Sequence, residues 1–352
     1  MRSFHRFLLV LSLSLCTAAA LPEWSAAAAG GGTSGVGADS GISARVARLS
    51  ADTVTLTRQY ETGRRDAARQ EAIAWRDQRL LAGEHRLTAV LHMDLGTILR
   101  AEDQRGGAAP DVLRALHPDD KQELTRDHAP LAQGDLALGD ATMRSRLVEA
   151  GIAEEGARAS ARWRELRKRT TRLATTRRTL LARLEAARWT LQRQADASAA
   201  AGKCRGAVRL GLPGRRAARP WVTPVDDYRL TAGFGNGGEH WAHRHTGQDF
   251  AVPIGTPVRA AGAGSVVRVT CGGAFGIEIV IKHAAGCYTQ YAHLAAVTID
   301  PGDRVRTGQW IGQSGTTGNS TGPHVHFEVR ITPQFGSGVD PLPWLKAHGV
   351  KV

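Results

Sequence analysis

The stretch that decides the fold is GPHVHFEVR, residues 322–330. Alternation of polar and apolar residues over such a run predicts a β-strand. In an extended strand alternate side chains share one face, so His324 and His326 project together while Val325 and Phe327 point into a core. The stretch therefore predicts two imidazoles side by side on the surface of a sheet.

A second motif, HTGQD, begins at His245, about eighty residues upstream. In an extended segment its histidine and aspartate share a face, and Gly247 removes the side chain that would otherwise stand between them. The motif contributes His245 and Asp249. Together with His324 and His326 they make four candidate metal ligands. Two imidazoles and one carboxylate, with a fourth position open to water, form the ligand set of a catalytic zinc site, whereas a structural site favours thiolates. One histidine is then spare and is a candidate for proton transfer.

A third histidine, His293, lies between these motifs on another strand-like run. Four blocks occur in order along the chain: HTGQD at 245–249, AVPIGTPV at 251–258, YAHL at 291–294 and GTTGNSTGPHVHFEVR at 315–330. In order and spacing these blocks resemble the zinc endopeptidases of the lysostaphin/LytM type, which cut peptidoglycan peptides. The resemblance covers roughly residues 221–345, about a third of the chain.

The resemblance implies roles for five residues. His245, Asp249 and His326 are expected to hold one zinc ion per chain, and His293 and His324 are expected to flank the water bound to it. Zinc lowers the pKa of bound water to about 7, and a nearby imidazole can accept a proton and return one to the leaving amine. Either His293 or His324 can be the base, and both can instead stabilise an oxyanion. The implied activity is hydrolysis of peptidoglycan stem or cross-bridge peptides.

Two further histidines, His240 and His243, lie close to the first motif and compete with His245 as ligands. A ligand shifted by two residues is conceivable. However, only His245 has the glycine two residues later and the aspartate four residues later. His245 is therefore the expected ligand.

The rim of a substrate cleft is expected to include a glycine-rich turn at residues 312–322. This run lacks the Gly-Lys-Ser/Thr of a phosphate loop and no helix is expected after it, so a substrate-lining turn is the better interpretation. Glycines in such a turn let an extended peptide approach closely. Tyr291 and the loop at 234–238 are further candidates for the rim.

The first 29 residues are typical of a secretory signal, because Arg2 and Arg6 precede an uncharged run and then small residues. The uncharged run is too short to span a bilayer comfortably, which needs about 20 apolar residues. Residues 30–41 are glycine-rich and are expected to form a flexible linker. A secreted, cell-wall-associated protein is therefore expected, and an uncleaved anchor is the alternative.

Residues 42–201 are expected to form a long helical hairpin, or coiled-coil region. Apolar residues recur there at alternating spacings of three and four, which predicts amphipathic helices. The first helix is expected to end near Arg105, and three prolines at 110–130 predict short turns of helix and loop after it. The second helix is clearest over 157–201. Pairing within one chain is preferred, and self-association through the same seam is the alternative.

The chain carries a net charge of +13 at pH 7, and most of this charge lies on one segment. Residues 158–193 contain twelve Arg or Lys and two Glu, which accounts for ten of the net positive charges. Anionic cell-wall polymers are a candidate partner of this basic helix, whereas no segment resembles a nucleic-acid-binding module. A solvated helix face is the alternative.

Residues 202–220, rich in Gly, Pro and Arg, are expected to link the helices to a zinc peptidase domain at 221–352. Short β-branched runs separated by glycines predict that this domain is all-β and mainly antiparallel, which makes the chain an α + β multidomain protein. The clearest runs are 264–270, 276–283, 287–294 and 323–331, and a short helix is expected at 341–346.

Three cysteines remain after removal of the signal: Cys204, Cys271 and Cys287. An odd number cannot pair completely. Cys271 and Cys287 would lie at opposite ends of a seven-residue strand, about 23 Å apart and far beyond the roughly 6 Å of a disulfide. Cys204 with Cys271 is the more plausible pair, which would tie the end of the helical region to the following domain.

A second class of protein, with a different function, also has a coiled-coil region like the one expected here. LytM-type regulators have lost the metal and activate other cell-wall hydrolases. Here all three expected ligands and both flanking histidines are present. An enzyme is therefore the preferred interpretation, and a regulator is the alternative.

Overall fold

A computed structural model describes residues 41–106, 118–208, 219–237 and 244–352. Outside these residues lie the predicted signal at 1–29 and residues 30–40 of the first predicted linker. Residues 209–218 of the second predicted linker and both competing histidines, His240 and His243, lie outside them as well. The described residues form two long helices followed by two antiparallel sheets, which confirms the expected fold class. Among the described helices, none has an apolar stretch long enough to cross a membrane.

The two long helices run antiparallel as a hairpin. Their bounds are Ile42–Gly106 for α1 and Pro118–Ala200 for α2. Near the start of α1, the Tyr60 ring lies 5.0 Å from the guanidinium of Arg177, late in α2. Farther along α1, the Thr88 hydroxyl lies 2.9 Å from that of Ser145, which is earlier in α2. This opposite order of contacts is the helical hairpin expected from the sequence.

Helix α2 begins earlier than the sequence pattern predicts. It starts at Pro118 and continues through Pro130, where short turns and loops were expected. Proline is tolerated in the first turn of a helix, because the amide that it lacks has no partner there. The prediction that the helix is interrupted at Pro130 is wrong. Most helical stability in proteins comes from tertiary packing rather than local propensity, so a long helix can run through an unfavourable residue.

The C-terminal part forms two antiparallel sheets over its described residues. Its strands are β1 Arg229–Leu230, β2 Gln248–Ala251, β3 Pro257–Arg259, β4 Gly264–Cys271, β5 Ile277–His283, β6 Tyr288–Ala292, β7 Leu294–Val297, β8 Arg304–Val305, β9 Trp310–Ser314, β10 His324–Arg330 and β11 Gly338–Val339. The larger sheet has the order β1-β2-β10-β6-β5-β4-β8, with β11 also paired to β10, and the smaller has the order β3-β9-β7. The motif strand β10 therefore lies inside the larger sheet.

Most predicted elements of the sheet region are confirmed, and one is broken in two. Strands β4, β5 and β10 and the last helix, α3 at Pro341–Ala347, occupy the expected runs. The run at 287–294 forms β6 and β7 instead of one strand. His293, between them, has a left-handed backbone with φ 62°, which an extended strand cannot contain.

The hairpin and the sheets share one hydrophobic core. Val46 of α1 and Leu184 and Leu191 of α2 are buried in the same cluster as Ile279 of β5. Gly255 marks how closely the parts approach, because a Cβ built there would lie 2.4 Å from Val46 Cγ1. One end of the hairpin is therefore packed directly on the sheet region.

A disulfide reinforces this junction. Cys204, just after α2, is bonded to Cys271 at the end of β4, with the Cα atoms 5.2 Å apart. Cys287 is a free, half-buried thiol. The pairing preferred from the sequence is confirmed.

Candidate metal centre and catalytic cleft

Three side chains converge at one point beside β2 and β10. His245 Nε2 lies 3.1 Å from Asp249 Oδ1 and 2.9 Å from His326 Nδ1, and the latter two atoms are 3.0 Å apart. All three residues are buried. Within the described part of the chain, this is the group of His, Cys, Asp or Glu whose donor atoms lie close enough to share a metal ion. The structure thus brings together the three residues that the resemblance assigns to the metal.

Strand pairing places two of the three donors, and a loop places the third. Asp249 of β2 stands opposite His326 of β10 in the antiparallel register. His245 precedes β2, so the strand alternation expected from the sequence does not explain its position. Instead its backbone N–H donates to Asn236 O at 2.9 Å, and its ring Nδ1 donates to Gly233 O at 2.9 Å. The loop before β2 therefore turns His245 Nε2 toward the other donors.

Gly247 permits this arrangement by allowing a close approach to β10. A Cβ built at Gly247 would lie 2.4 Å from Phe327 O and 2.9 Å from His326 Nε2. A larger residue would push the segment away from the strand and separate the donors. The glycine is therefore needed for close packing against β10, which differs from the reason expected from the sequence, a clear space between His245 and Asp249 on one strand face.

The second nitrogen of His326 is held by a buried carboxylate. His326 Nε2 donates to Glu328 Oε1 at 2.9 Å, which leaves Nδ1 to face the metal position. Glu328 in turn accepts hydrogen bonds from Thr246 Oγ1 and Arg330 Nε, both at 2.5 Å. No role was assigned to Glu328 from the sequence, although strand alternation puts it on the face of His324 and His326. That alternation was the signal that could have identified it.

The two remaining histidines turn the same nitrogen toward the cleft. His293 Nδ1 donates to Thr317 O at 2.8 Å, and His324 Nδ1 donates to Gly322 O at 2.7 Å. In each neutral ring Nε2 is then an acceptor. The ring centroids are 4.7 Å apart, and His324 Nε2 lies 3.6 Å from Asp249 Oδ1. Both rings are thus placed beside the three donors and can accept a proton there.

The left-handed backbone at His293 is a feature of this cleft. Non-glycine residues adopt such φ values rarely, at a cost of about 1–3 kcal/mol, and mostly where surrounding contacts hold them. Here the His293 N–H donates to Phe275 O at 3.0 Å, and the ring is held by the Thr317 carbonyl. The break between β6 and β7 is therefore maintained by contacts on both the backbone and the side chain.

Electrostatics favour an ionised carboxylate and a neutral imidazole in the cleft. Burial acts to raise the pKa of Asp249, but hydrogen bonds with His245 and His326 outweigh burial and hold this pKa well below its usual value. Burial, together with charge on His324 and His326, lowers the pKa of His293 to about 3. At neutral pH the His293 ring of the metal-free protein is therefore uncharged.

The donor set fits a divalent metal ion. Two imidazole nitrogens and one carboxylate oxygen lie 2.9–3.1 Å from one another. An ion with bonds of about 2.0–2.2 Å can contact three atoms at that spacing. Carboxylate and carbonyl partners on the second nitrogens of the two ligand rings are typical of metal-binding histidines.

The cleft beside the donors is lined by several loops. Asn319, Ser320 and Thr321 belong to the glycine-rich turn, which therefore lines the cleft as expected, and Phe275 and Phe335 lie on the wall as well. Tyr291, by contrast, is fully buried, and its hydroxyl accepts a hydrogen bond from a backbone amide. The prediction that Tyr291 lies on the rim is wrong, because its side chain points into the core.

Replacing Glu328 by glutamine is expected to weaken metal binding about 10- to 100-fold. A glutamine can donate to His326 Nε2, which favours the tautomer with the proton on Nδ1, where the metal must bind. The dissociation constant for Zn²⁺, measured by competition with a chromophoric chelator, gives the effect. Glu278→Gln is the matched control, because Glu278 is a buried carboxylate bonded to Gln290 and Thr270. Unchanged affinity in Glu328→Gln would contradict this role.

The region that contains the site is similar to known peptidases. Residues 243–341 match the model of peptidase family M23. The chain is 46% identical over 103 residues to the DD-carboxypeptidase/endopeptidase Mpg of Neisseria meningitidis, covering 29% of this chain and 23% of that protein. It is 45% identical over 87 residues to the peptidoglycan DD-endopeptidase ShyA of Vibrio cholerae, covering 25% and 20%. The chain thus spans about a fifth to a quarter of the length of these two relatives.

Among solved structures, the catalytic domain of the antimicrobial peptidase lysostaphin from Staphylococcus simulans is 34% identical. That match covers 34% of this chain and 94% of the lysostaphin domain, with a TM-score of 0.32. The family match includes the three donors and both flanking histidines. The chain therefore carries a domain of peptidase family M23 at residues 243–341.

Proposed function

We propose that this chain is a zinc-dependent endopeptidase that hydrolyses peptide bonds in the stem or cross-bridge peptides of peptidoglycan. The observation that carries the proposal is the convergence of His245, Asp249 and His326 on one point of a cleft that also contains His293 and His324. Family M23 membership of the domain and the names of its relatives, which are peptidases, support the same reaction class.

Zinc is the metal that this donor set favours. Imidazole and carboxylate ligands suit zinc, and three protein ligands leave a position for water or substrate. Calcium and magnesium instead prefer about six or more oxygen ligands. A structural zinc site would have a closed shell of four protein ligands, often thiolates. We therefore propose one catalytic zinc per chain, held by His245, Asp249 and His326.

The chain's own side chains supply proton transfer and charge stabilisation. When bound, zinc supplies Lewis-acid activation of a water molecule and of the scissile carbonyl. His293 or His324 accepts a proton at Nε2 and returns it to the leaving amine. The other ring, when protonated, can donate a hydrogen bond to the developing oxyanion. The carbonyls of Thr317 and Gly322 hold both rings at Nδ1, so that Nε2 remains toward the substrate.

The proposal is tested by incubating the purified full chain with purified peptidoglycan. We expect release of new amino groups, loss of this activity on chelation and recovery with zinc. Mass spectrometry of the released fragments then identifies the bond. A chain that binds zinc, leaves peptidoglycan intact and stimulates another wall hydrolase would contradict the proposal and support the regulator alternative.

Zinc binding is expected to strengthen as the pH rises toward 9. Burial acts to lower the pKa of His326, but hydrogen bonds with Asp249 and Glu328 outweigh burial and raise it to about 9 in the metal-free protein. The proton on Nδ1 must leave before a metal binds. The raised pKa stabilises the metal-free fold below the unfolded value of about 6.5, and this contribution is lost as pH rises through about 9.

Apparent zinc affinity should therefore increase by up to about tenfold per pH unit between pH 7 and 9, and level off above that range. Chelator competition at several pH values measures the slope. An affinity independent of pH over this interval would mean that His326 does not lose a proton on zinc binding.

We also propose that the chain is exported and associates with the cell wall through α2. The signal-like first 29 residues support export. Arg164, Lys168 and Arg172 are exposed along one face of α2, and the exposed Arg167 lies over the Trp163 ring at 5.4 Å. A polymer with repeating anionic groups would meet several of these charges. Binding of the full chain to purified walls should weaken after removal of anionic polymers or at high salt, and equal binding would contradict the proposal.

A further inference from the structure

Helix α2 contacts the loop that orients both spare histidines. This β9–β10 loop comprises residues 315–323. Gln192, a buried residue of α2, accepts a hydrogen bond at Oε1 from the Thr316 N–H at 3.1 Å. Its own amide donates to Asp196 Oδ1 at 2.8 Å, which fixes the orientation of the Gln192 side chain. A Cβ built at Gly315 would lie 2.9 Å from Gln192 Oε1. The loop and the helix are therefore in close contact at this glycine.

The same loop supplies the carbonyls that hold the two imidazoles. Thr317 O accepts from His293 Nδ1, and Gly322 O accepts from His324 Nδ1. The loop also pairs with the start of β10, because the His324 N–H donates to Gly315 O at 3.2 Å. A shift of the loop would therefore move both rings relative to the three metal donors, which are held elsewhere.

His293 is the ring most dependent on this loop. Its left-handed backbone persists only while surrounding contacts hold it. One of these contacts is the Thr317 carbonyl, and Thr317 is fixed by its own hydroxyl, which donates to Leu294 O at 2.8 Å and accepts from the Ile277 N–H at 3.0 Å. The residue before Thr317 is the one held by Gln192. The helix thus supports the loop on the side away from the cleft. The residues that line the cleft all come from 244–335, so none of them belongs to helix α2.

We propose that Gln192 is a positioning residue of the peptidase and that helix α2 completes the catalytic loop. The expected effect on turnover rests on the proposed function. The expected effect on the loop does not depend on it. Loss of the Gln192 acceptor releases the Thr316 amide, loosens the carbonyl at Thr317 and misorients His293. The metal donors keep their own supports, so metal binding is unaffected.

The test compares Gln192→Met, which keeps an unbranched side chain but removes the acceptor, with Ser43→Ala. Ser43 is a matched control because it is buried at the same junction and bonds to Gln313 on β9 rather than to the loop. In Gln192→Met we expect kcat to fall about tenfold, with KM changed less than about twofold and zinc content unchanged. Ser43→Ala should keep kcat within about twofold of the wild type.

A rescue variant separates the hydrogen bond from general packing. In the double variant Gln192→Glu with Asp196→Asn, a carboxylate oxygen can accept from Thr316 while the new asparagine amide donates to the other oxygen. We expect this variant to recover most of the lost kcat. If Gln192→Met has wild-type kcat, or if Ser43→Ala or the double variant is equally slow, the inference is overturned.

Hydrogen exchange of the metal-free chain supplies a readout that does not depend on activity. Peptides from the β9–β10 loop should exchange at least about fivefold faster in Gln192→Met than in the wild type or Ser43→Ala. Unchanged exchange would overturn the inference even if the enzyme is active. A wild-type chain without peptidase activity would reject the proposed function, while the exchange result would still decide whether Gln192 holds the loop.

Discussion

Replacing His326 by alanine is expected to abolish tight metal binding and to lower peptidoglycan hydrolysis by about 10³-fold or more. The substitution removes one of three converging donors and leaves the Glu328 carboxylate buried without its imidazole partner. Metal catalysis contributes several kcal/mol to the stability of the transition state, and each 1.36 kcal/mol is about a factor of ten in rate. Metal content by mass spectrometry and the rate of amine release measure both losses together.

Two further variants show whether the effect is specific to the donors. Asp249→Asn keeps the size of the side chain but removes its charge, and it should also lose metal and activity. His283→Gln is the control, because His283 is equally buried and uses both ring nitrogens, toward Ala263 O and the Thr289 hydroxyl. It should lose stability but retain the metal. Hydrolysis retained in both donor variants would rule out the assignment.

Replacing His293 by asparagine is expected to leave metal binding intact and to lower kcat by about 10²- to 10⁴-fold, the range typical of a lost acid–base group. Asparagine is chosen because it tolerates the left-handed backbone at this position, where φ is 62°. Alanine would add backbone strain to the loss of the ring. The measurement is kcat and zinc content on the same preparation.

Comparison with His324→Asn separates the two candidate bases. His293 is neutral well below neutral pH, because burial and neighbouring charges depress its pKa to about 3. If His293 is the base, its removal should cost more kcat than removal of His324. Activity within about threefold of the wild type in both variants would mean that neither ring transfers a proton.

The sequence predicted the site well where the chain is extended. Alternation within GPHVHFEVR correctly placed Val325 and Phe327 in the core. The register that sets His326 opposite Asp249 was found only in the structure. The four ordered motifs predicted the family of the domain. Such predictions succeed because the alternation of side chains along a strand follows directly from local backbone geometry.

Other features depend on contacts that no local pattern encodes. His293 was expected on a continuous strand, but its left-handed backbone is set by Phe275 and by a distant loop. Helix α2 runs through Pro130 although the proline predicted an interruption. Gln192 carried no signal, because its partner lies more than a hundred residues away. Contacts with residues distant in sequence set the positions of His293 and Gln192.

The most direct test of the central claim is anomalous diffraction at the zinc absorption edge from crystals of the full chain. We expect one strong peak about 2.0–2.2 Å from His245 Nε2, Asp249 Oδ1 and His326 Nδ1, with His293 and His324 nearby but not coordinated. A zinc-loaded protein with no peak at this point, or with its zinc held by other residues, would contradict the account.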